Sequence, residues 1–160
     1  KMKKFILSFV LILLVSIHAY SQTEVKINAI HNKIELGPLA GNRDLSFGVS
    51  NILEEVLQDK GYDLTENSDI YIEVDLLYFD VRKTSMQIAV ASKKTDLTEI
   101  IAKASLFVEG RKIREVTARG TAKAITTSTL IISNDGKFSQ ANVSTAIKKL
   151  CVQLIDELKI

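Results

Sequence analysis

Two hydrophobic periods meet at one point in the chain. Apolar residues at Leu45, Val49, Ile52, Leu53, Val56 and Leu57 recur at spacings of three and four, which predicts an amphipathic helix. Asp44 stands where a carboxylate accepts from the free amides of the first turn. Lys60 suits the negative end of the helix dipole, and Gly61 suits the left-handed position just past the last turn. A few residues on, the period changes to two: Ile70, Ile72, Val74 and Leu76 alternate with Tyr71, Glu73 and Asp75, a strand over 69–82. Leu77, Phe79 and Val81 continue the alternation on the opposite parity, which predicts a β-bulge near Leu76–Leu77. A helix that must cover a sheet, followed by the sheet it covers, sets the core.

The same reading extends to both sides. Val25, Ile27 and Ala29 alternate with polar residues in a first strand, which 34–36 extends, and Gly37-Pro38 breaks it before a loop at 39–43. Met86, Ile88 and Val90 form a short strand, and Lys93-Lys94-Thr95-Asp96 reads as a polar turn. Residues 99–108 and 112–125 are two longer strands around a hairpin turn at Gly110-Arg111. Val116, Ala118, Gly120, Ala122 and Ala124 make one face of the second strand small, and a closely packed helix is the economical occupant of such a face. Residues 126–133 are β-branched and extend that strand, and Asn134-Asp135-Gly136 is a turn. After Ser139, a fair N-cap, a final helix carries Val143, Ile147, Leu150, Cys151, Leu154, Ile155 and Leu158 on one side. The order β-α-β-β-β-β-α, with strands joined by short turns, predicts an α+β fold: a mainly antiparallel sheet with two helices packed on one face.

The first 21 residues follow a different logic. Lys1, Lys3 and Lys4 precede an apolar run over 5–17, and Ala19-Tyr20-Ser21 places small residues at the −3 and −1 positions of a signal-peptidase site. As a helix the run spans roughly 20 Å, short of a hydrocarbon core of about 30 Å. Residues 1–21 therefore read as a secretory signal peptide cut between Ser21 and Gln22, and 22–160 as a single domain. No cysteine stands just after the cleavage site, so no lipid anchor is expected there. Three of the 21 basic residues and none of the 19 acidic ones lie in the signal, which leaves 18 against 19. A near-neutral chain gives no global argument for nucleic acid.

Candidate chemistry is sparse. With His18 in the signal, His31 is the one histidine left, which argues against a zinc site and reads as a surface residue at a strand end. Cys151 lies on the apolar side of the last helix beside Ile147, Leu154 and Ile155, the setting of a buried, inert thiol. Glu73 and Asp75 share a strand face, but no third acid or glycine-rich loop accompanies them, and a solvated face is the simpler reading. No phosphate-cradling glycine motif or strained nucleophile turn occurs. Arg111, Lys112 and Arg114 cluster at the hairpin, followed by Arg119 and Lys123, a candidate contact for an anionic partner, although such cations more often simply keep an exposed strand soluble. Asn142-Val143-Ser144 matches a glycosylation sequon but falls in the predicted helix. No catalytic residue, metal or cofactor is expected.

Asn42-Arg43-Asp44-Leu45, the helix end Asp59-Lys60-Gly61-Tyr62, and Asp69-Ile70-Tyr71-Ile72-Glu73-Val74 with Leu77-Tyr78 resemble the YajG-type bacterial envelope lipoproteins. The layout is more loosely similar to the CsgG-type curli-secretion subunits, which share a helix with a Gly-Tyr end, a strand and a C-terminal helix containing Ala-Ile, here Ala146-Ile147. The resemblance implies a non-enzymatic protein facing the periplasm. Members of the family carry a lipobox cysteine that this sequence lacks. The expected role is an exported accessory or binding domain, located in the periplasm or at the periplasmic face of the outer membrane. It would act on an envelope protein partner, with peripheral outer-membrane contact and oligomerisation both allowed. The alternative is a subunit of an oligomeric, CsgG-like outer-membrane secretion channel, for which 99–133 is the only candidate wall and an unpromising one, because its cations alternate poorly with apolar residues. An enzyme would need a pocket with convergent polar groups near His31 or Glu73. N-terminal sequencing of the exported protein should read from Gln22; a start upstream of residue 5 would identify the apolar run as a retained anchor.

Overall fold

The computed structural model describes residues 22–36, 44–88, 91–128 and 140–160. The elements in chain order are β1 (Glu24–Leu36), α1 (Ser46–Asp59), β2 (Asp63–Leu64), β3 (Ile70–Ile88), β4 (Ala91–Val108), β5 (Arg111–Ser128) and α2 (Gln140–Leu158). They form an α+β domain with a curled, mixed five-stranded sheet in the order β2-β1-β3-β4-β5. β1 runs parallel to both β2 and β3, while β3, β4 and β5 form an antiparallel meander that supplies most of the pairing.

The expected order of element types holds, but two strands lie elsewhere than the sequence pattern suggests. Asp63–Leu64 is a strand of its own beside the start of β1, tied there by Asp63 N donating to Thr23 O and Thr65 N to Val25 O. Met86 and Ile88 belong to the end of β3, and the polar segment 93–96 lies inside β4, paired with Met86, Ser85, Thr84 and Lys83. Cross-strand pairing over a long hairpin outweighs the polar composition that reads as a turn. The tight turn falls one residue earlier than expected: Glu109 and Gly110 both take positive φ, 50° and 76°, in a two-residue connection. The turn at 134–136, the loop at 37–43, Ser139 and the signal lie outside the described residues.

The bulge is where the parity change places it. Leu76 pairs with Ala102 and Tyr78 with Ile101, so Leu77 is the extra residue. One face of β3 therefore stays apolar from Ile72 to Val81, with Ile72, Val74, Leu76, Phe79 and Val81 all buried. These residues meet Ile100, Ala102, Ala104 and Leu106 of β4 and the inward sides of both helices.

The helix ends use local chemistry. Asp44 accepts from the amide of Ser46 at 2.9 Å, and hydrogen bonding with the Ser46 side chain, then with this amide, holds its carboxyl below the usual range, although Leu45 occupies the cap position itself. At the other end of α1, Gly61 has φ 85°, its amide reaches Gln58 O, and the Tyr62 amide reaches Leu57 O, the paired bonds of a Schellman closure. α2 packs on β4, β5 and α1. Asn142, buried near its N-terminus, donates to Asp96 O, Thr98 Oγ1 and Ala122 O, which ties the helix to both strands and removes the sequon from solvent.

The small face of β5 receives α2 at close range. A Cβ on Gly120 would lie 2.0 Å from the carbonyl oxygen of Ala146 and 2.9 Å from the Leu150 amide. Gly48, on α1, has room, since its Cβ would lie 3.9 Å from Ile147 Cδ1. Gly120→Ala should therefore cost about 3 kcal/mol or more, because backbone must move. Gly48→Ala should stabilise by roughly 0.5–1 kcal/mol through helix propensity. Denaturant midpoints of the two variants check both signs.

Candidate functional site

Three surfaces hold the residues with chemical potential. The first is the β4–β5 hairpin, where the sequence places an anionic contact. Arg111, Lys112 and Arg114 are all exposed there. The register between Leu106–Arg114 and Phe107–Lys112 leaves Ile113 as an extra residue, 59% exposed. Arg114 turns to the end of α2 and donates to the carbonyls of Glu157 and Leu158 at 3.3 and 3.1 Å, satisfying groups a helix C-terminus leaves open. Lys112 pairs with Glu115 at 2.7 Å, which raises the Lys112 pKa and lowers that of Glu115, and its Nζ lies 5.8 Å from the Phe107 ring. The cluster is thus brought together in space, but two of its three cations already serve partners within the chain.

The second surface is the side of the sheet opposite the helices. Tyr71 and Phe107 stack across β3 and β4 at 4.8 Å. Glu73 accepts from Asn28 Nδ2 at 2.9 Å, and Asp75 is held by Lys33 at 2.9 Å and Lys103 at 3.5 Å, with Lys33 the main cause of its lowered pKa. The two carboxylates are therefore occupied in a cross-strand charge ladder. Further along β3, Asp80 and Glu99 are 4% and 8% exposed. Arg82 spans them, with Nε 3.3 Å from Asp80 and a terminal nitrogen 3.0 Å from Glu99, and Arg119 closes on the other oxygen of Glu99 at 3.1 Å. The sequence reading missed this network. Its signal was available once the bulge was accepted, because moving the parity by one residue brings Asp80, Glu99 and both arginines onto one face.

The third surface lies between the helices. Leu45, Phe47, Gly48 and Ile52 of the α1 side and Val143 and Ile147 of α2 line an open groove of about 570 Å³, with Asp44, Asn51, Gln140 and Ser144 at its polar margin. Phe47 is 78% exposed, the most exposed large apolar side chain among the described residues. Sequence patterning places Phe47 off the buried stripe of α1, and a lone phenylalanine there carried no distinguishing signal.

The remaining candidates are placed as follows. His31 is exposed on β1, in register with Asp75. Cys151 is fully buried. Gln22 is the first described residue, and Ser21 lies outside. Among the described residues, no group of three or more histidine, cysteine or acidic side chains is arranged to hold a metal ion, and no helix is long and apolar enough to cross a membrane.

No protein-family model matches the chain, and no curated protein sequence matches it. Solved structures are similar to it, and one shares its fold at a TM-score above 0.5. The hypothetical protein CT253 from Chlamydia trachomatis is similar over 87% of this chain and 96% of its own, with a TM-score of 0.53 at 9% identity. A minor lipoprotein from Acinetobacter baumannii is similar over 85% and 91%, at 13% identity and a TM-score of 0.47. A lipoprotein from Neisseria meningitidis is similar over 86% and 98%, at 9% identity and a TM-score of 0.44. At such identities the likeness is one of fold alone.

Burial pushes the Cys151 thiol up to about 12 from its ordinary 9.0. A raised folded-state value means that stability is intact below pH 9 and declines as pH rises toward 12, at about 1.4 kcal/mol per pH unit, because only the unfolded chain ionises freely there. Thiol labelling should be slow in the native state and complete in denaturant. Cys151→Ala should flatten the alkaline decline relative to the parent, and an unchanged slope would remove the thiol as its source.

Proposed function

We propose that this chain is a non-enzymatic accessory protein of the bacterial envelope, YajG-like in layout, that works by holding a protein partner in the groove between α1 and α2. The observation that carries the reading is Phe47. Burying a large aromatic is among the most favourable things a chain does on folding, and this one stands in water beside an apolar groove with a polar margin. That composition, an apolar centre with an aromatic anchor and a polar rim, is the anatomy of a protein interface. The groove suits the apolar side of an amphipathic segment of the partner. Support for an envelope setting comes from the N-terminal signal pattern.

The channel-subunit reading draws less support. The extended part of β3 and β4 carries Arg82 and Lys93 on one face and Lys83, Lys94 and Asp96 on the other, so neither face offers the continuous apolar band that a barrel wall shows to lipid.

Photo-crosslinking tests the groove. A photoreactive residue at Phe47 should give a discrete, saturable adduct in the envelope of the source cells. The same residue at Gln58, exposed on the far part of α1, should not. The partner identified from the adduct, once purified, should bind the parent and lose about tenfold or more in affinity to Phe47→Ala, the loss typical of an interface anchor. Equal adducts at both positions, or equal affinity for the variant, would overturn the proposal.

A further inference from the structure

The antiparallel meander extends past the part of the sheet that the helices cover, and its outer face is unlike the rest of the surface. Cross-strand register lays that face out in rows. Tyr78, Ile101 and Arg119 form one row, then Asp80, Glu99 and Thr121, then Arg82, Leu97 and Lys123, then Thr84, Thr95 and Ile125, with Met86 beside Lys93 at the end. Residues paired in an antiparallel ladder share a face. Val81, Thr98 and Ala122 form the adjacent buried row, so these side chains point away from the core.

Charge on this face is one-sided. The two acids in these rows, Asp80 and Glu99, are nearly buried and lie beneath Arg82 and Arg119, whose side chains remain 58% and 63% exposed, while Glu73, Asp75 and Glu115 lie nearer the other end of the face and are engaged by Asn28, Lys33, Lys103 and Lys112. Lys93 and Lys123 are exposed and make no ion pair among the described residues. Solvent therefore meets four cations and no open carboxylate, on a chain whose residues from Gln22 onward carry 18 basic against 19 acidic side chains. Among these cations stand Met86, 59% exposed, and Ile125, 53% exposed, with Leu97 half-buried between the strands. Lysines that only keep an edge soluble have no need of apolar neighbours at the same level. Cations interleaved with protruding apolar side chains on one sheet face match the two layers of a bilayer surface, anionic headgroups above the start of the acyl chains.

We infer that the outer face of the β3–β4–β5 extension docks on an anionic lipid bilayer. Lys93, Lys123, Arg82 and Arg119 meet the phosphate layer, and Met86 and Ile125 enter just below it. The surface is separate from the interhelical groove, and its binding does not depend on what the groove takes. The arginines stay paired with Glu99 and Asp80, so the two lysines carry the adjustable part of the attraction.

Vesicle co-sedimentation of the purified protein tests this. Vesicles of phosphatidylethanolamine with phosphatidylglycerol should bind the chain, and added salt should weaken that binding. Neutral phosphatidylcholine vesicles measure any contribution from the apolar N-terminal run and should bind less. Lys93→Glu with Lys123→Glu should lower the partition coefficient on anionic vesicles by about tenfold or more. Lys93→Arg with Lys123→Arg should retain it, and Met86→Ser with Ile125→Ser should weaken it at every salt concentration. All the positions are exposed, and thermal melts verify that each variant is folded. Equal binding by the charge-reversed protein, or no preference for anionic over neutral vesicles, overturns the assignment. So does Lys93- and Lys123-dependent capture of an acidic protein without any binding to vesicles.

Discussion

The approach of α2 to β5 is the contact on which the rest of the domain depends. At Gly120 the helix backbone sits where any other residue would place its Cβ. That proximity lets the helix reach β4 over Ala118 and Ala122 and places Leu150, Leu154 and Leu158 in one buried cluster with the inward residues of β3. α1 then closes the same core from the side of β1, packed on α2. The polar contacts hold this arrangement in register more than they drive it. Asn142 fixes one end of α2 against two strands, and Arg114 takes up the carbonyls at the other. A buried amide with satisfied donors contributes modestly to stability while excluding helix positions that would leave it unpaired.

Much of this was legible in the residues. The stripe on α1, the Gly61 closure, the parity change at Leu77 and the small face of β5 each reflect a local rule that tertiary packing did not override. The boundaries of β3 and β4 were less legible, because Lys93, Lys94, Thr95 and Asp96 look like a turn when read singly. They are a strand only because Met86, Ser85, Thr84 and Lys83 lie opposite them, and pairing between strands is not a local property. β2 is two residues long, below the length at which alternation is visible at all.

The functional surfaces divide along the same line. Arg111, Lys112 and Arg114 form a visible run of charge, yet Arg114 is engaged by Leu158, far away in sequence, and Lys112 by Glu115 just across the Ile113 bulge. The cations at 82, 93, 119 and 123 are scattered over three strands and become one surface only through the register. Phe47 is the reverse case: its residue type is unremarkable in a helix, and only its exposure sets it apart. Positions that cooperate through space without a period along the chain are the ones that sequence patterning misses.

The last helix has a temporal consequence as well. Leu150, Cys151, Leu154, Ile155 and Leu158 are the final buried residues in the sequence, and among the described residues no other helix covers the inner face of β4 and β5. A ribosome must therefore carry synthesis through α2 before this core can close. Until then the growing polypeptide remains without a finished fold, and any machinery that handles chains only while they are unfolded has that interval in which to engage it.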